Sequence, residues 1–374
     1  MRQTFSQIVA LALCIVILAG CAQRGSITVD PAAAAVGSVQ PILVASSRVS
    51  DPAGPGYLRA AGDSLSFSQI DVSVPPDRKP GTVTFPHTNP PNPKTDFLTV
   101  GGGRIADRRA FIKAVNAAVA QKPVNQREAF VFVHGFNTNF AEGLYRQAQM
   151  RHDFGAPGIS IHFAWPSAGN VRAYATDRET TLQARDDLEQ LIDILVQTNV
   201  TRIVLAGHSM GAFLLMEALR QKAIRGTPSD FRKLQTVVLM APDIDVGVFR
   251  RQAQALEGDG VSIYIFTSER DRALRFSAVL RGTGARLGAL SDNSKVADLP
   301  VTVIDLSALD GNQDAQNHFK VATSPVMISL IRGLDAYGNQ TLSDASNARS
   351  GLIDSSVGIL KDIGSVALQP FAVK

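Results

Sequence analysis

Residues 204–213 read VLAGHSMGAF, a serine flanked by two glycines at two-residue spacing. The pattern G-x-S-x-G is short enough to arise by chance in a chain with 30 glycines, so its surroundings decide what it is. Just before it, RIVLAG (202–207) is a continuous apolar run of the kind found in strands buried on both faces. Just after it, Ala212, Leu215, Met216 and Leu219 recur at helical offsets. A serine between such a strand and helix sits in an abrupt bend, where Gly207 and Gly211 remove side chains that would collide. The hydroxyl is then presented at a helix start, with the Met210 amide directed at any negative charge that develops there. This setting predicts Ser209 to be a nucleophile.

The same texture extends outward. AFVFVHG (129–135), ISIHFAW (159–165), TVVLMAP (236–242), VSIYIFT (261–267) and VTVIDLS (301–307) are further short apolar runs rich in branched residues. Between them lie helical patterns, as at Leu188, Leu191, Ile192 and Leu195, and again at Met327, Leu330, Ile331 and Leu334, with Ser324 and Pro325 as a helix start. Alternating strands and helices imply a mostly parallel central sheet covered by helices on both faces, an α/β class of fold. This domain is expected over residues 101–335. Residues 21–100 are rich in Ala, Ser, Pro and Gly and read as a tether with extended segments, including one strand in SFSQIDVSVP (66–75). A polar tail follows at 336–374.

A serine hydroxyl needs a base within hydrogen-bond reach. Of six histidines, His87 and His152 read as surface residues, His162 as core, and His208 as a packing residue turned away by the bend. His134 reads as support for its loop. His318, after the last strand in SALDGNQDAQNHFK, is placed to reach Ser209 from the same edge of the sheet. The loop after the first strong strand, FVFVHGFNTNF, supplies a second oxyanion donor, the Phe136 amide, with Gly135 allowing a tight turn. For the acid that orients His318 there are four candidates in the right chain order: Asp243, Asp245, Asp271 and Asp305. Asp271, in the turn SERDRAL beyond VSIYIFT, fits the position best; Asp243 is the runner-up, Asp245 reads as a helix cap and Asp305 as a strand-end residue.

HGFNTNF, FAWPSAG with YATDRET, AGHSMG, LMAPDIDVGVF, SERDRALRFS and the isolated histidine, taken in this order, resemble the bacterial esterase/lipase superfamily group of α/β-hydrolases whose physiological substrates are largely unassigned. The likeness covers roughly residues 60–335. It implies an α/β-hydrolase fold and a Ser-acid-His triad with Ser209 and His318 at the matching positions, and it places the acid after the strand that precedes Asp271.

The first residues, MRQTFSQIVALALCIVILAGC, set Arg2 before an apolar run that is shorter than the ~20 residues a bilayer span needs. The run ends in Leu18-Ala19-Gly20-Cys21, which resembles the lipobox of bacterial lipoproteins. That resemblance implies cleavage before Cys21, lipid on its sulfur and an acylated amine, so the exported chain would hold no thiol for a disulfide. Ala22, rather than an aspartate, points by analogy with enteric lipoproteins to the outer membrane facing the periplasm. Loss of the first twenty residues, which contain Arg2 and no acid, takes the formal charge from +4 to +3. So weak a balance gives nucleic-acid binding little support. No His/Cys/Asp cluster at ligand spacing suggests a metal, and no cofactor is required.

The expected activity is therefore that of an envelope-anchored serine hydrolase cleaving carboxylic esters. A peptidase or perhydrolase using the same triad, or a non-catalytic scaffold on the same fold, are the alternatives.

Overall fold

The computed structural model describes residues 24–226, 231–281, 285–309 and 318–328. Nine strands form one sheet: β1 (Ser38–Ser50), β2 (Tyr57–Val74), β3 (Leu98–Ile105), β4 (Glu128–Val133), β5 (Ile159–Ala164), β6 (Arg202–His208), β7 (Leu234–Met240), β8 (Ser262–Thr267) and β9 (Val301–Asp305). Their order is β3-β2-β1-β5-β4-β6-β7-β8-β9. All neighbours from β1 to β9 pair in parallel, while β1–β2 and β2–β3 are antiparallel. This is the mostly parallel sheet expected from the sequence, and all six strongly apolar runs became strands β4 to β9.

Alternation of side chains splits each central strand between two layers. Val131 and Val133 of β4, with Ile203 and Leu205 of β6, face a core completed by α1 (Arg108–Ala120), α3 (Tyr174–Val196), α4 (Met210–Arg225) and α5 (Val246–Gln254). Phe132 and Ala206 face the other way, toward Met150 and Phe154 of α2 (Phe140–Phe154) and toward Leu306, Leu309, Val321 and Ala322. β5 is buried at every residue, as a strand covered on both faces must be. Helix starts are set locally. Asn139 and Glu142 form a capping box on α2, Asp245 caps α5 through the Gly247 and Val248 amides, and Gly155 closes α2 in the left-handed conformation. A helical turn begins at Pro325, as expected; its continuation to Leu334 lies outside the described residues, as do Cys21 and the tail 336–374.

The sheet extends into the segment before residue 100. Residues 38–50 form β1, paired with β5 from Ile42–Ser160 to Ser46–Ala164, and β2 and β3 add two further strands beyond it. Residues 38–105 thus supply three of the nine strands. Two local features of these strands, Pro41 and the run Gly101-Gly102-Gly103, are unusual in a sheet. Pro41 precedes the parallel pairing with β5, so its missing N–H costs that ladder nothing. Gly102, at φ +121°, lies where an added Cβ would stand 2.2 Å from the Gln69 carbonyl, and the β2–β3 register shifts just beyond the neighbouring Asp71–Gly101 pair.

A buried ion pair ties α2 to the preceding segment. Arg78 pairs with Asp153, and Asp153 also accepts from the Gly81 amide and Gln149 Nε2, both at 2.7 Å. Burial by itself would raise the Asp153 carboxyl; bonds from His152, Arg78, Gly81 and Gln149 outweigh it and hold the group well below the usual carboxylate range. A depressed folded-state value contributes stability that is present above the unfolded value near ~3.9 and lost as pH falls through the folded one. Asp153→Asn should therefore lower unfolding stability at pH 7 by about 3 kcal/mol, because Arg78 is left buried with a weaker partner. Urea denaturation at pH 7 and about pH 2 checks this, with the gap between variant and wild type narrowing at the lower pH.

Candidate active site

Ser209 occupies the single residue between the end of β6 and the start of α4. Its backbone, at φ 53° and ψ −119°, is a strained conformation for a residue with a side chain, costing of order 1–3 kcal/mol. Three backbone bonds hold it there. The Ser209 amide donates to Met240 O (3.0 Å), and Ser209 O accepts from the Ala212 and Asp243 amides, each at 3.1 Å. The bend is thus pinned to β7 on one side and to α4 on the other.

Glycines make the crossing possible. A Cβ on Gly211 would stand 2.2 Å from His134 O, one on Gly207 would stand 2.7 Å from Ala212 Cα, and one on Gly135 would stand 2.7 Å from His208 Nδ1 and 3.1 Å from Ser209 Cβ. Gly135 therefore serves close approach. The left-handed residue of this loop is Asn137 (φ 56°), two positions later. This packing brings the loop that carries Phe136 against Ser209. The Phe136 ring meets Tyr174 edge-on at 5.3 Å.

His318 stands beside the bend. Its ring lies 4.7 Å from that of His208, the residue before Ser209, and His208 Nε2–H donates to the His318 carbonyl at 3.0 Å. His318 Nδ1 is 2.7 Å from Asp271 Oδ2, and Asp271 is fully buried. The other oxygen of Asp271 accepts from the Leu274 amide, capping α6 (Arg272–Arg281), so the carboxylate is fixed by its own helix while it meets the imidazole. The sequence had missed the part His208 plays in holding His318; only the pairing of two segments 110 residues apart reveals it.

The rival acids are engaged elsewhere. Asp243 accepts from Tyr174 Oη (2.6 Å) and Ser277 Oγ (2.7 Å) and pairs with Arg286 at 3.3 Å. Asp245 caps α5, as expected, and Asp305 accepts from the Ser307 amide at the end of β9. Among the other histidines, His134 is sandwiched against Trp165 and lies 3.0 Å from Gly135 O and 3.1 Å from Trp165 O, so it supports the loop. Burial pushes His134 and His208 well below the ordinary histidine value and His162 down to about 3, which keeps all three neutral. His87 is exposed, and half-buried His152 sits on α2 beside Arg78 and Asp153. Among the described residues, no group of three or more His, Cys, Asp or Glu could hold a metal ion.

A family model described as "Alpha/beta hydrolase of unknown function (DUF900)" matches residues 108–333. The chain is 28% identical over 129 residues to "Putative esterase/lipase 2" of Mycoplasma pneumoniae and 26% identical over 132 residues to the protein of the same name in Mycoplasma genitalium. These matches take in 33% and 34% of this chain, and the chain spans only 41% and 42% of the length of those relatives. Among solved structures, Aspergillus fumigatus lipase B is 14% identical, with 63% of this chain and 59% of the lipase covered and a TM-score of 0.36.

The glycine crossing is open to direct test. Gly211→Ala should cost at least about 3 kcal/mol, since the new methyl meets backbone that cannot step aside. Gly103→Ala, with no atom within 4 Å of its added Cβ, should stay within about 0.5 kcal/mol of wild type. Chemical denaturation of the two variants makes the comparison.

Proposed function

The chain belongs to the α/β-hydrolase family of unknown function that covers residues 108–333, and from that premise we propose that it is a serine hydrolase of carboxylic esters, held at the cell envelope by lipid on Cys21. The observation that carries the reading is the strained Ser209 at the β6–α4 junction together with His318, whose ring packs 4.7 Å from that of the adjacent His208 and whose Nδ1 meets the buried Asp271 at 2.7 Å. Esterase/lipase names among the relatives agree with it.

In this mechanism Ser209 Oγ attacks the ester carbonyl carbon while His318 Nε2 takes the hydroxyl proton. Asp271 fixes the proton on Nδ1 and stabilises the imidazolium that forms. Negative charge on the former carbonyl oxygen falls between the Met210 and Phe136 amides, the first at the positive end of α4. Collapse expels the alcohol, which takes the proton from His318. A water, deprotonated by the same imidazole, then attacks the acyl-serine, releasing the acid and restoring the hydroxyl. Every group in this cycle is polar protein or water, and no metal or cofactor enters it.

Anchoring follows from the Leu18-Ala19-Gly20-Cys21 motif, and outer-membrane retention facing the periplasm from Ala22. The membrane is then the partner that carries the enzyme, and the ester its substrate.

Ser209→Ala should abolish covalent labelling by a fluorophosphonate probe and lower ester hydrolysis by about 10⁴-fold or more while the fold persists, with His318→Ala close behind. Asp271→Asn keeps an oxygen to cap α6, so it should stay folded yet lose about 10³- to 10⁴-fold in turnover. Equal labelling of Ser209→Ala and wild type would overturn the serine assignment, and full activity in Asp271→Asn would overturn the acid. For the anchor, Cys21→Ser should lose a metabolically incorporated fatty-acid label and leave an unprocessed or soluble form; a mutant labelled as strongly as wild type removes that part of the reading.

A further inference from the structure

We propose that two arginines from the N-terminal segment, Arg24 and Arg48, preset the loop that bears the Phe136 amide, and that Arg24 is a positioning residue for catalysis. Both lie before the span matched by the family model, which begins at residue 108. The inference rests on the proposed hydrolase reading, since it concerns the loop assigned there to the oxyanion.

Four successive carbonyls follow the end of β4, and each is approached by a donor. His134 Nδ1 lies 3.0 Å from Gly135 O, the carbonyl of the same peptide whose N–H belongs to Phe136. Because burial keeps His134 neutral, its one ring proton serves either Gly135 O or Trp165 O and cannot hold both. The histidine alone therefore does not lock the peptide. Thr138 Oγ1 donates to Phe136 O at 3.2 Å. Arg24 Nη2 donates to Asn137 O at 2.8 Å while its Nη1 donates to Asn137 Oδ1 at 2.7 Å. Arg48 Nη2 donates to Thr138 O and to Ser167 O, each at 3.2 Å.

Asn137 is the left-handed residue of the loop, where the direction of the peptide plane has least help from ordinary sterics. Arg24 grips both its side chain and its carbonyl with one planar fork, an arrangement a lysine cannot copy. The fork is itself oriented: Arg24 Nη2 pairs with Glu142 Oε2 at 2.6 Å, and the Gly25 amide donates to Glu142 Oε1 at 3.1 Å. Asn139 Nδ2 returns a bond to Gly25 O at 2.8 Å. Glu142 is also the capping-box residue of α2, so the segment, the loop and the helix start form one unit. Arg48, fully buried, is held down to about 10 by burial, a value that leaves it charged at neutral pH. It faces Asp177, Arg59 and Glu142 as charged neighbours, and Ser167 links it to Asp177 through an Oγ bond of 2.6 Å.

A loosened oxyanion loop loses an interaction that matters in the transition state more than in the bound ester, so kcat and kcat/KM should fall together with KM unchanged. Arg24→Ala in the full chain, assayed on a soluble p-nitrophenyl short-chain ester, should lose about 10- to 100-fold in kcat with KM within about twofold. Its thermal midpoint should stay close to wild type, because the side chain is 36% exposed. Arg24→Lys, which retains the charge toward Glu142, should recover only part of kcat, and Arg48→Lys should likewise fall in kcat. A merely structural role would move the thermal midpoint and leave kcat of the folded fraction intact; that result, or Arg24→Ala with wild-type kcat, overturns the proposal. Active-site titration with the fluorophosphonate probe supplies the folded fraction. Wild-type chain that neither hydrolyses the ester nor takes the probe would instead overturn the hydrolase reading, which keeps the two failures distinct.

Discussion

The structure turns on one crowded crossing, where the ends of β4 and β6 and the start of α4 approach more closely than side chains allow. Gly135, Gly207 and Gly211 each leave room for a neighbour that would stand within 2.7 Å of an added Cβ. That closeness forces Ser209 into its strained backbone, and the strain is contained because three backbone bonds reach from it to β7, α4 and the segment after β7. Everything placed around the serine is placed relative to this crossing. The Phe136 loop leaves from one arm of it and α4 from another, while His208, the last residue of β6, holds the backbone of His318.

Electrostatics separates the histidines by environment. Burial keeps three of them neutral, and they serve as packing or as single-proton donors to carbonyls. His318 alone among those near Ser209 meets a carboxylate. Two aspartates follow adjacent strands at similar positions, Asp243 after β7 and Asp271 after β8, yet they have different work. Asp243 gathers Tyr174, Ser277 and Arg286 into a buried network that ties α3 to α6, leaving Asp271 to the imidazole.

The N-terminal strands extend the argument beyond the core. β1 joins the parallel sheet at β5, so its end lies near the loops that follow β4 and β5, and Arg48 reaches from there to Thr138 and Ser167. Arg24 holds the same loop at Asn137. Lipid on Cys21, as proposed, would be separated from that contact by two intervening residues, Ala22 and Gln23, about 10 Å of extended chain.

By itself the sequence determined what local pattern can carry. Continuous branched-apolar runs pointed to strands, helical offsets marked the layers between them, and two glycines around Ser209 announced a strand-to-helix bend that few backbones can make. These are properties of neighbours along the chain. β1 and β3 escaped because a proline and three glycines signal turns locally, while their meaning as strands depends on which ladder lies alongside. The acid beside His318 is a contact across 47 residues and the His208 bond one across 110, and the arginine clamp joins residues 113 apart. Tertiary structure decided these, because a carboxylate, an imidazole or a guanidinium takes its partner from whatever the fold brings within 3 Å, and no spacing along the chain encodes that distance.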